Sequence, residues 1–213
     1  MPFVRIIADQ MRKPSGILGR FIIARSMNRT NADISRLTVQ FLDIKPADRV
    51  LDIGFGGGAT MEMMLPLANK GLVAGIEVSD IMIKRARKKL NKIAGQGRRE
   101  VKEGAASKIP YESNYFDKVC TINCIYFWPD PAIGLKETIR ILKPGGVLVI
   151  AVYLAEEFEK YPPAAYGSNI YSDGKLKILL EDAGFSNTRI EHRVTKPYTS
   201  VFAIGVKQAV ESN

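Results

Sequence analysis

The hydrophobic pattern of the chain changes near residue 48. Beyond it, continuous apolar runs of strand length alternate with segments in which apolar residues recur at helical spacing. The strand-like runs are RVLDI, LVAGIEV, DKVCTI and GVLVIAVY, with a weaker one, REVKEG, after the second. Helical patterns between them cover about residues 59–69, 80–93 and 131–142. Buried strands separated by helices predict an α/β fold whose mostly parallel sheet carries helices on both faces.

The two ends of the chain have patterns of their own. Residues 1–47 read as helical or loop-like, and we interpret them as a helical N-terminal lid before a domain over residues 48–213. Met27 and Asn28 are the lid residues that we expect to close over the site. Near the other end, one helix is predicted to stop at Gly184, and two final strands are predicted to form an antiparallel pair.

The composition of the 213 residues is that of a globular protein, with 46% apolar and 25% charged residues. This length suits one domain with a full core. Only two cysteines occur, Cys120 and Cys124, which excludes a disulfide framework and favours a reducing, cytoplasmic location. We interpret both as buried thiols and predict no metal site. No apolar run is long enough to cross a membrane, and we recognise no secretory signal.

Positive charge is the unusual property of the composition. The formal net charge is +9, and residues 84–102 alone carry nine Lys and Arg against one acid, Glu100. Such a segment can attract nucleic acid, anionic lipid or acidic substrates, and it can equally be the solvated face of a helix. We favour the solvated face, so that nucleic acid is an allowed partner but not the preferred one.

The segment VLDIGFGGGAT at residues 50–60 carries the main chemical signal. Its four glycines permit positive φ and let a ligand contact the main chain at a place where parallel sheets bind ligands. A dinucleotide would bring an anionic pyrophosphate, which Asp52 repels, whereas Asp52 stabilises a ligand with positive charge. Glu77, at the end of the second strand, could hold ribose hydroxyls in either case. The residues therefore favour a cationic nucleoside ligand over NAD.

Several motifs, in the expected order, resemble those of class I S-adenosylmethionine-dependent methyltransferases. VLDIGFGGG resembles their first motif and GIEVSD their second. The segments YFDKVCTINCIYFWPDP, IRILKPGGVLVIA and LLEDAGF resemble the later strands, turns and helices, and the leader KPSGILGRF…MNRTN resembles that of small bacterial members. The resemblance implies a Rossmann-like, doubly wound sheet of seven strands with an antiparallel last strand, and S-adenosylmethionine as cofactor.

The resemblance also implies a set of cofactor-binding residues at the strand ends. They are Asp52, Gly54, Gly56, Gly58, Glu77, Val78, Ala105, Ala106 and Asn123. The first four would surround the methionine end together with Asn123, while Glu77 would accept both ribose hydroxyls with Val78 beside it. The motif that usually reads Gly-Asp-Ala reads Gly-Ala-Ala here, so the acid expected to hold the adenine amine is missing at Ala105.

Aromatic residues mark the expected acceptor side of the site. Loops at this edge of such a sheet carry specificity, and aromatic walls suit flat or cationic acceptors. The residues predicted to bind the acceptor are Tyr126, Trp128, Tyr153 and Tyr166. Methyl transfer needs a general base only when the nucleophile must lose a proton. The candidates for that role are Tyr126, Tyr153 and His192.

More than one function is consistent with these residues. We favour a methyltransferase that acts on an O, N or C nucleophile of a small-molecule acceptor. The basic segment leaves an RNA- or protein-modifying methyltransferase open, and the basic, apolar leader leaves a lipid or quinone acceptor open. The missing acid at Ala105 leaves a non-catalytic nucleoside-binding protein as a further alternative, followed by a nicotinamide oxidoreductase. The acceptor and the oligomeric state are not predicted.

Overall fold

The computed structural model of the protein describes residues 31–93, 98–160, 169–196 and 198–209. Within these ranges, seven strands form one sheet: β1 (Arg49–Ile53), β2 (Leu72–Glu77), β3 (Arg98–Glu103), β4 (Phe116–Ile122), β5 (Leu142–Tyr153), β6 (Phe185–Arg193) and β7 (Ser200–Lys207). The helices described are α1 (Ala32–Leu42), α2 (Ala59–Met64), α3 (Asp80–Leu90), α4 (Pro131–Ile141), α5 (Ala155–Phe158) and α6 (Asp173–Asp182). A 3₁₀ turn, Ile125–Phe127, follows β4.

The strand order is β3-β2-β1-β4-β5-β7-β6, and β7 runs antiparallel to both of its neighbours while the other six strands are parallel to one another. This arrangement confirms the predicted seven-stranded sheet with an antiparallel last strand. Right-handed crossovers place α2 and α3 on one face and α4 on the other, so the sheet is doubly wound. The chain leaves β1 toward β2 on one side, and β4 lies on the other side, which creates a crevice at their carboxyl ends.

The helices stop where local chemistry requires it. The helix predicted over residues 59–69 is shorter than expected, since α2 ends at Met64. Pro66 explains this correction, because proline has no N–H to donate and its ring crowds the preceding turn. α6 ends just before Gly184, which adopts φ 95° and confirms the predicted stop.

The core lies between the central strands and the flanking helices. α1 packs on α2 and across β4 and β5, and it buries Ile34 and Leu42 completely. The described part of the predicted lid is therefore a helix integrated into the core. Met27 and Asn28 lie outside the described residues, and the boundary at residue 47 stays a prediction. Among the helices that the structure describes, none combines the length and apolar character needed to cross a bilayer.

Candidate active site

A cavity of about 370 Å³ opens at the carboxyl ends of β1, β2 and β4. Its walls come from α1, the glycine loop after β1, the loops after β2, β3 and β4, and the start of α3. The lining residues that bear on its chemistry are Asn31, Asp52, Gly54, Gly56, Glu77, Val78, Met82, Ala105, Ala106, Asn123, Cys124, Phe127 and Trp128. The cavity thus lies at the position where an open parallel sheet with this strand order binds its ligand.

The glycine loop is shaped by close contacts on two sides. Gly54 has φ 75°, and a side chain there would place Cβ 2.2 Å from the Sγ of Cys124, in the loop after β4. Gly58 has φ 76°, and its Cβ would meet Ala86 of α3 at 3.0 Å. Gly56, with φ 54°, faces open space instead. Two of the three glycines are therefore required by neighbouring elements, and the third leaves main chain accessible to a ligand.

Glu77 organises the loop from the end of β2. Its Oε2 accepts a hydrogen bond from the backbone N–H of Gly56 at 3.1 Å. Its Oε1 accepts from the N–H groups of Val78 at 2.8 Å and Ser79 at 3.1 Å. These bonds hold the carboxylate at the cavity wall, where it is almost fully buried. A carboxylate in this position can accept from two neighbouring hydroxyl groups.

Asp52 is the second buried carboxylate of the cavity. Burial raises the pKa of Asp52 to about 7, a hydrogen bond with Cys120 opposes the rise, and the nearby charge of Glu77 adds to it. Among the described residues, its Oδ2 has no hydrogen-bond partner. A buried carboxylate oxygen without a partner is costly, so this atom fits a ligand that donates hydrogen bonds and carries positive charge.

Asn123 follows β4 in the left-handed conformation, with φ 48°. Its backbone N–H donates to the carbonyl of Ala151 at 2.9 Å, which ties it to β5. Its Nδ2 donates to Oδ1 of Asn31 at 3.0 Å, and its own Oδ1 is buried with no partner among the described residues. The cavity therefore contains two buried oxygen acceptors, one from Asp52 and one from Asn123, that the described residues leave unsatisfied.

Comparisons with known proteins agree with this geometry. A family model described as a methyltransferase domain matches residues 51–150. The chain is 30% identical over 184 residues to the uncharacterised methyltransferase YdaC of Bacillus subtilis, a match that covers 86% of this chain and 96% of that protein. The chain belongs to the class I S-adenosylmethionine-dependent methyltransferases.

Two further comparisons relate the methyltransferase to more distant proteins. It is 25% identical over 181 residues to the ubiquinone/menaquinone biosynthesis C-methyltransferase UbiE of Vibrio cholerae, covering 72% of this chain and 70% of that protein. An S-adenosylmethionine-dependent methyltransferase from Thermotoga maritima has the same fold, with a TM-score of 0.70 at 23% identity and coverage of 96% and 100% of the two chains. S-adenosylmethionine is the cofactor of this family of enzymes, which removes the nicotinamide oxidoreductase from the alternatives.

The residues present fit this cofactor. S-adenosylmethionine carries an ammonium group, and the unsatisfied oxygens of Asp52 and Asn123 are acceptors for such a donor. Glu77 lines the cavity with a buried carboxylate, which would suit the predicted contact with ribose hydroxyls. Gly56 leaves open space at the loop, so that the cofactor would reach the main chain. These assignments stay predictions for the individual residues, but each assigned residue except Gly58 lines the cavity.

The end of the cavity assigned to adenine is mainly apolar. Val78, Met82 and Ala106 contribute apolar surface, and Ala105 offers only a methyl group where an acid was expected. Ala105 forms a bridge with Lys108 that folds this loop into a tight turn. Adenine would therefore be held here by packing and by main-chain groups rather than by a carboxylate at Ala105.

The structure divides the predicted acceptor residues between the cavity wall and the core. Trp128 lines the cavity, as does its neighbour Phe127, which was not among the predicted acceptor residues. Tyr126 does not: its ring stacks on Phe158 at 4.4 Å, and its Oη accepts from the N–H of Tyr153 at 2.8 Å. Burial raises the pKa of Tyr126 well above its usual value, so this phenol is part of the core rather than a base at the site.

Tyr153 is also absent from the cavity wall, but it lies directly behind it. Its Oη donates to Oδ1 of Asn31, a lining residue, at 3.1 Å. Burial raises the pKa of Tyr153 to about 12, so the side chain is a neutral phenol at physiological pH and is a poor general base. Tyr166 lies outside the described residues.

His192 does not lie where a general base for the cavity would be needed. It stands on the edge strand β6 with an exposed side chain, and its Nε2 is 2.7 Å from Oδ2 of Asp173 at the start of α6. The structure therefore places it in a surface contact with a carboxylate and not among the lining residues. None of the three candidate bases lines the described cavity.

Sequence reasoning missed several lining residues. Asn31 and Ser35 come from α1 and its N-terminal end, and Met82 comes from α3. Cys124 was interpreted as a buried thiol, whereas it is half-buried and lines the cavity. Desolvation of the thiol, with the nearby charge of Glu77, raises the pKa of Cys124 to about 12. Only Asn123 gave a signal that could have identified its neighbour Cys124, because a residue directly after a strand end lies at the ligand edge of the sheet.

Proposed function

We propose that this methyltransferase transfers the methyl group to an O, N or C nucleophile of a small organic acceptor. The observation that carries the proposal is the form of the site. Cofactor-assigned residues and the aromatic side chains of Phe127 and Trp128 line one cavity of about 370 Å³. Because the cofactor-assigned residues and the aromatic wall share one cavity, the acceptor would have to enter it beside the cofactor, which favours a small or narrow molecule.

The name of one relative supports an organic acceptor over RNA or protein, and it also keeps a quinone acceptor open. UbiE is named for a step in ubiquinone and menaquinone biosynthesis, and its match covers 70% of that protein. The acceptor of the present enzyme would meet the aromatic end of the cavity, where Trp128 is fixed against Gly134 of α4. A flat or apolar acceptor suits such a wall.

In the described part of the chain, the lining residues contribute alignment and exclusion of water, and none of the three candidate bases is among them. S-adenosylmethionine supplies an activated methyl group on a sulfonium, so the transfer needs no covalent enzyme intermediate. Asp52, Glu77 and Asn123 would hold the donor in one orientation, and the apolar walls would keep water away. A transfer without a general base is consistent with the positions of Tyr126 and His192 outside the cavity wall.

The basic surface of α3 is the feature on which an RNA-modifying alternative depends. Part of its charge is used within the protein: Lys89 pairs with Glu62 at 2.5 Å, and Arg87 donates to the carbonyl of Val101 at 3.0 Å. Arg99, on the adjacent edge strand, donates to the carbonyl of Ile93 at 2.7 Å. These contacts within the protein support the interpretation of this segment as a solvated helix face, which the sequence analysis favoured.

A labelling experiment tests the proposal. The purified protein is incubated with methyl-labelled S-adenosylmethionine and an extract of the native cells, and the small-molecule, RNA and protein fractions are analysed by mass spectrometry. We expect label in the small-molecule fraction, and strongly reduced labelling with Asp52→Asn at cofactor concentrations below saturation. Label confined to RNA or protein would overturn the proposal, as would cofactor binding without transfer to any fraction.

A further inference from the structure

Asn31 stands at the N-cap position of α1, but it does not act as a cap. Asparagine at this position usually accepts hydrogen bonds from the first helical N–H groups. The Asn31 side chain makes no such bond. Its Oδ1 accepts instead from Nδ2 of Asn123 at 3.0 Å and from Oη of Tyr153 at 3.1 Å. A residue suited to stabilise the helix has its amide turned toward the cavity that it lines.

These contacts determine which way each amide points. The two ends of an amide differ, since the oxygen only accepts and the nitrogen only donates. The Tyr153 hydroxyl also hydrogen-bonds the side chain of Asn123, and with its own proton it donates to Oδ1 of Asn31, so the Asn31 oxygen faces two donors. That oxygen in turn selects the nitrogen of Asn123, so the oxygen of Asn123 points elsewhere. The backbone bond from Asn123 to Ala151 limits the alternatives further.

The result is that Asn123 Oδ1 is buried without a partner among the described residues, as is Oδ2 of Asp52 in the same cavity. We propose that Asn31 is a positioning residue for the amino-acid end of S-adenosylmethionine: supported by Tyr153, it orients Asn123 so that both unsatisfied oxygens accept from the cofactor ammonium. The inference concerns the cofactor and not the acceptor, so it can succeed or fail independently of the proposed small-molecule substrate.

The competing explanation is a purely structural one. Asn31 also joins α1 to the loop after β4 and to the end of β5, and these bonds could do no more than fasten the helix. A loosened helix would weaken every ligand of the cavity alike. Loss of amide orientation would weaken only ligands that carry the ammonium group.

Two ligands separate these explanations. S-adenosylhomocysteine contains the amino-acid end, and 5′-methylthioadenosine shares the nucleoside and sulfur but lacks it. Calorimetric titration of both is compared for the unmodified protein, Asn31→Ala, Asn31→Asp and Arg36→Ala. Arg36 is the matched control, because it lies on the same helix, is exposed and forms a surface ion pair with Asp33.

We expect Asn31→Ala to weaken S-adenosylhomocysteine about tenfold, the value of one hydrogen bond to a charged group, and to leave 5′-methylthioadenosine unchanged. Asn31→Asp retains an oxygen for both donors and should keep most of the affinity. Arg36→Ala should alter neither ligand. Equal weakening of both ligands by Asn31→Ala, or no weakening of either, would overturn the proposal.

A second variant keeps the test decisive if Asn31→Ala does not fold. Tyr153→Phe removes one hydroxyl and leaves the ring that packs edge-on against Tyr198. Without that hydroxyl, Asn31 loses a donor and Asn123 loses a partner, so both amides can reverse and the same selective loss of S-adenosylhomocysteine is expected. An unchanged ratio between the two ligands in Tyr153→Phe would contradict the orienting role.

Discussion

The end of the cavity assigned to methionine and the end assigned to adenine are built in different ways. At the first, Asp52 and Asn123 present buried oxygens that lack partners among the described residues. At the second, Val78, Met82 and Ala105 offer mainly apolar surface. Buried polar groups discriminate strongly because leaving them unpaired is costly, whereas apolar surface tolerates many shapes. We therefore expect this enzyme to select its cofactor mainly through the amino-acid end.

Removal of the Asp52 charge should have the largest effect, with opposite signs for binding and stability. Asp52→Asn should weaken S-adenosylhomocysteine roughly 100-fold, because a charged acceptor for the ammonium is lost. The pKa of Asp52 is raised in the folded state to about 7, so its contribution to stability is full at low pH and is lost as the pH rises toward that value. The variant without cofactor should therefore be more stable above pH 7, by up to roughly 4 kcal/mol.

Thermal unfolding at pH 5 and pH 8 and calorimetric titration measure the two effects. Asp182→Asn, an exposed carboxyl at the end of α6, is the control and should change neither. A fall in the melting temperature of Asp52→Asn at pH 8, or unchanged affinity for S-adenosylhomocysteine, would refute the role of Asp52 as a buried charged acceptor for the cofactor ammonium.

The affinity for the cofactor product should also depend on pH through the ionisation of Asp52. S-adenosylhomocysteine should bind roughly 20-fold more weakly at pH 5.5 than at pH 7.5, because protonation of Asp52 near pH 7 removes the charged acceptor. The affinity of 5′-methylthioadenosine, which lacks the ammonium, should stay flat over this range. Parallel profiles for the two ligands would show that another group controls the titration.

Glu77 should matter to both ligands, since both carry a ribose. Glu77→Gln removes the charge and one of the two acceptor oxygens that bond to Gly56 and Val78, so we expect both affinities to fall about tenfold. Glu103→Gln is a matched control, because Glu103 pairs in register with Glu77 on the neighbouring strand but is exposed and does not line the cavity. Selective loss of only one ligand would contradict the assignment to ribose.

A substitution at the apolar end of the cavity should have the smallest effect on affinity, and it should tighten binding. Ala105→Asp introduces an acceptor where the adenine amine is expected and should tighten S-adenosylhomocysteine about fivefold. S-inosylhomocysteine, in which a carbonyl replaces the amine, should gain nothing. Titration of the two nucleosides checks this difference, and an equal gain for both would place adenine elsewhere.

The fold was predictable because its signals are local. Apolar runs such as LVAGIEV specify buried strands, and Gly184 specifies a helix stop, whatever the rest of the chain does. The weak strand REVKEG was also recognised, and it forms the edge strand β3. The overestimated length of α2 shows the limit of periodicity, since the pattern of apolar residues continued past Pro66 while the backbone could not.

The site was predictable only where its residues follow strand ends. Asp52, Glu77 and Asn123 obey that rule, and all three line the cavity. Tyr126 also lies after a strand end, but the 3₁₀ turn rotates it into the core against Phe158 while Phe127 and Trp128 face the cavity. No periodicity in the sequence specifies which residues of a three-residue turn point inward.

Local patterns were enough to predict the doubly wound sheet, the glycine loop and the acidic residues beside it, because strand burial, positive φ and strand-end positions follow from neighbouring residues. Long-range packing was needed to bring Asn31 to Asn123 and Tyr153, which are 92 and 122 residues away along the chain. Amide orientation depends on which donors and acceptors meet in space, so it is decided by packing between α1, β4 and β5 and cannot be obtained from any one segment.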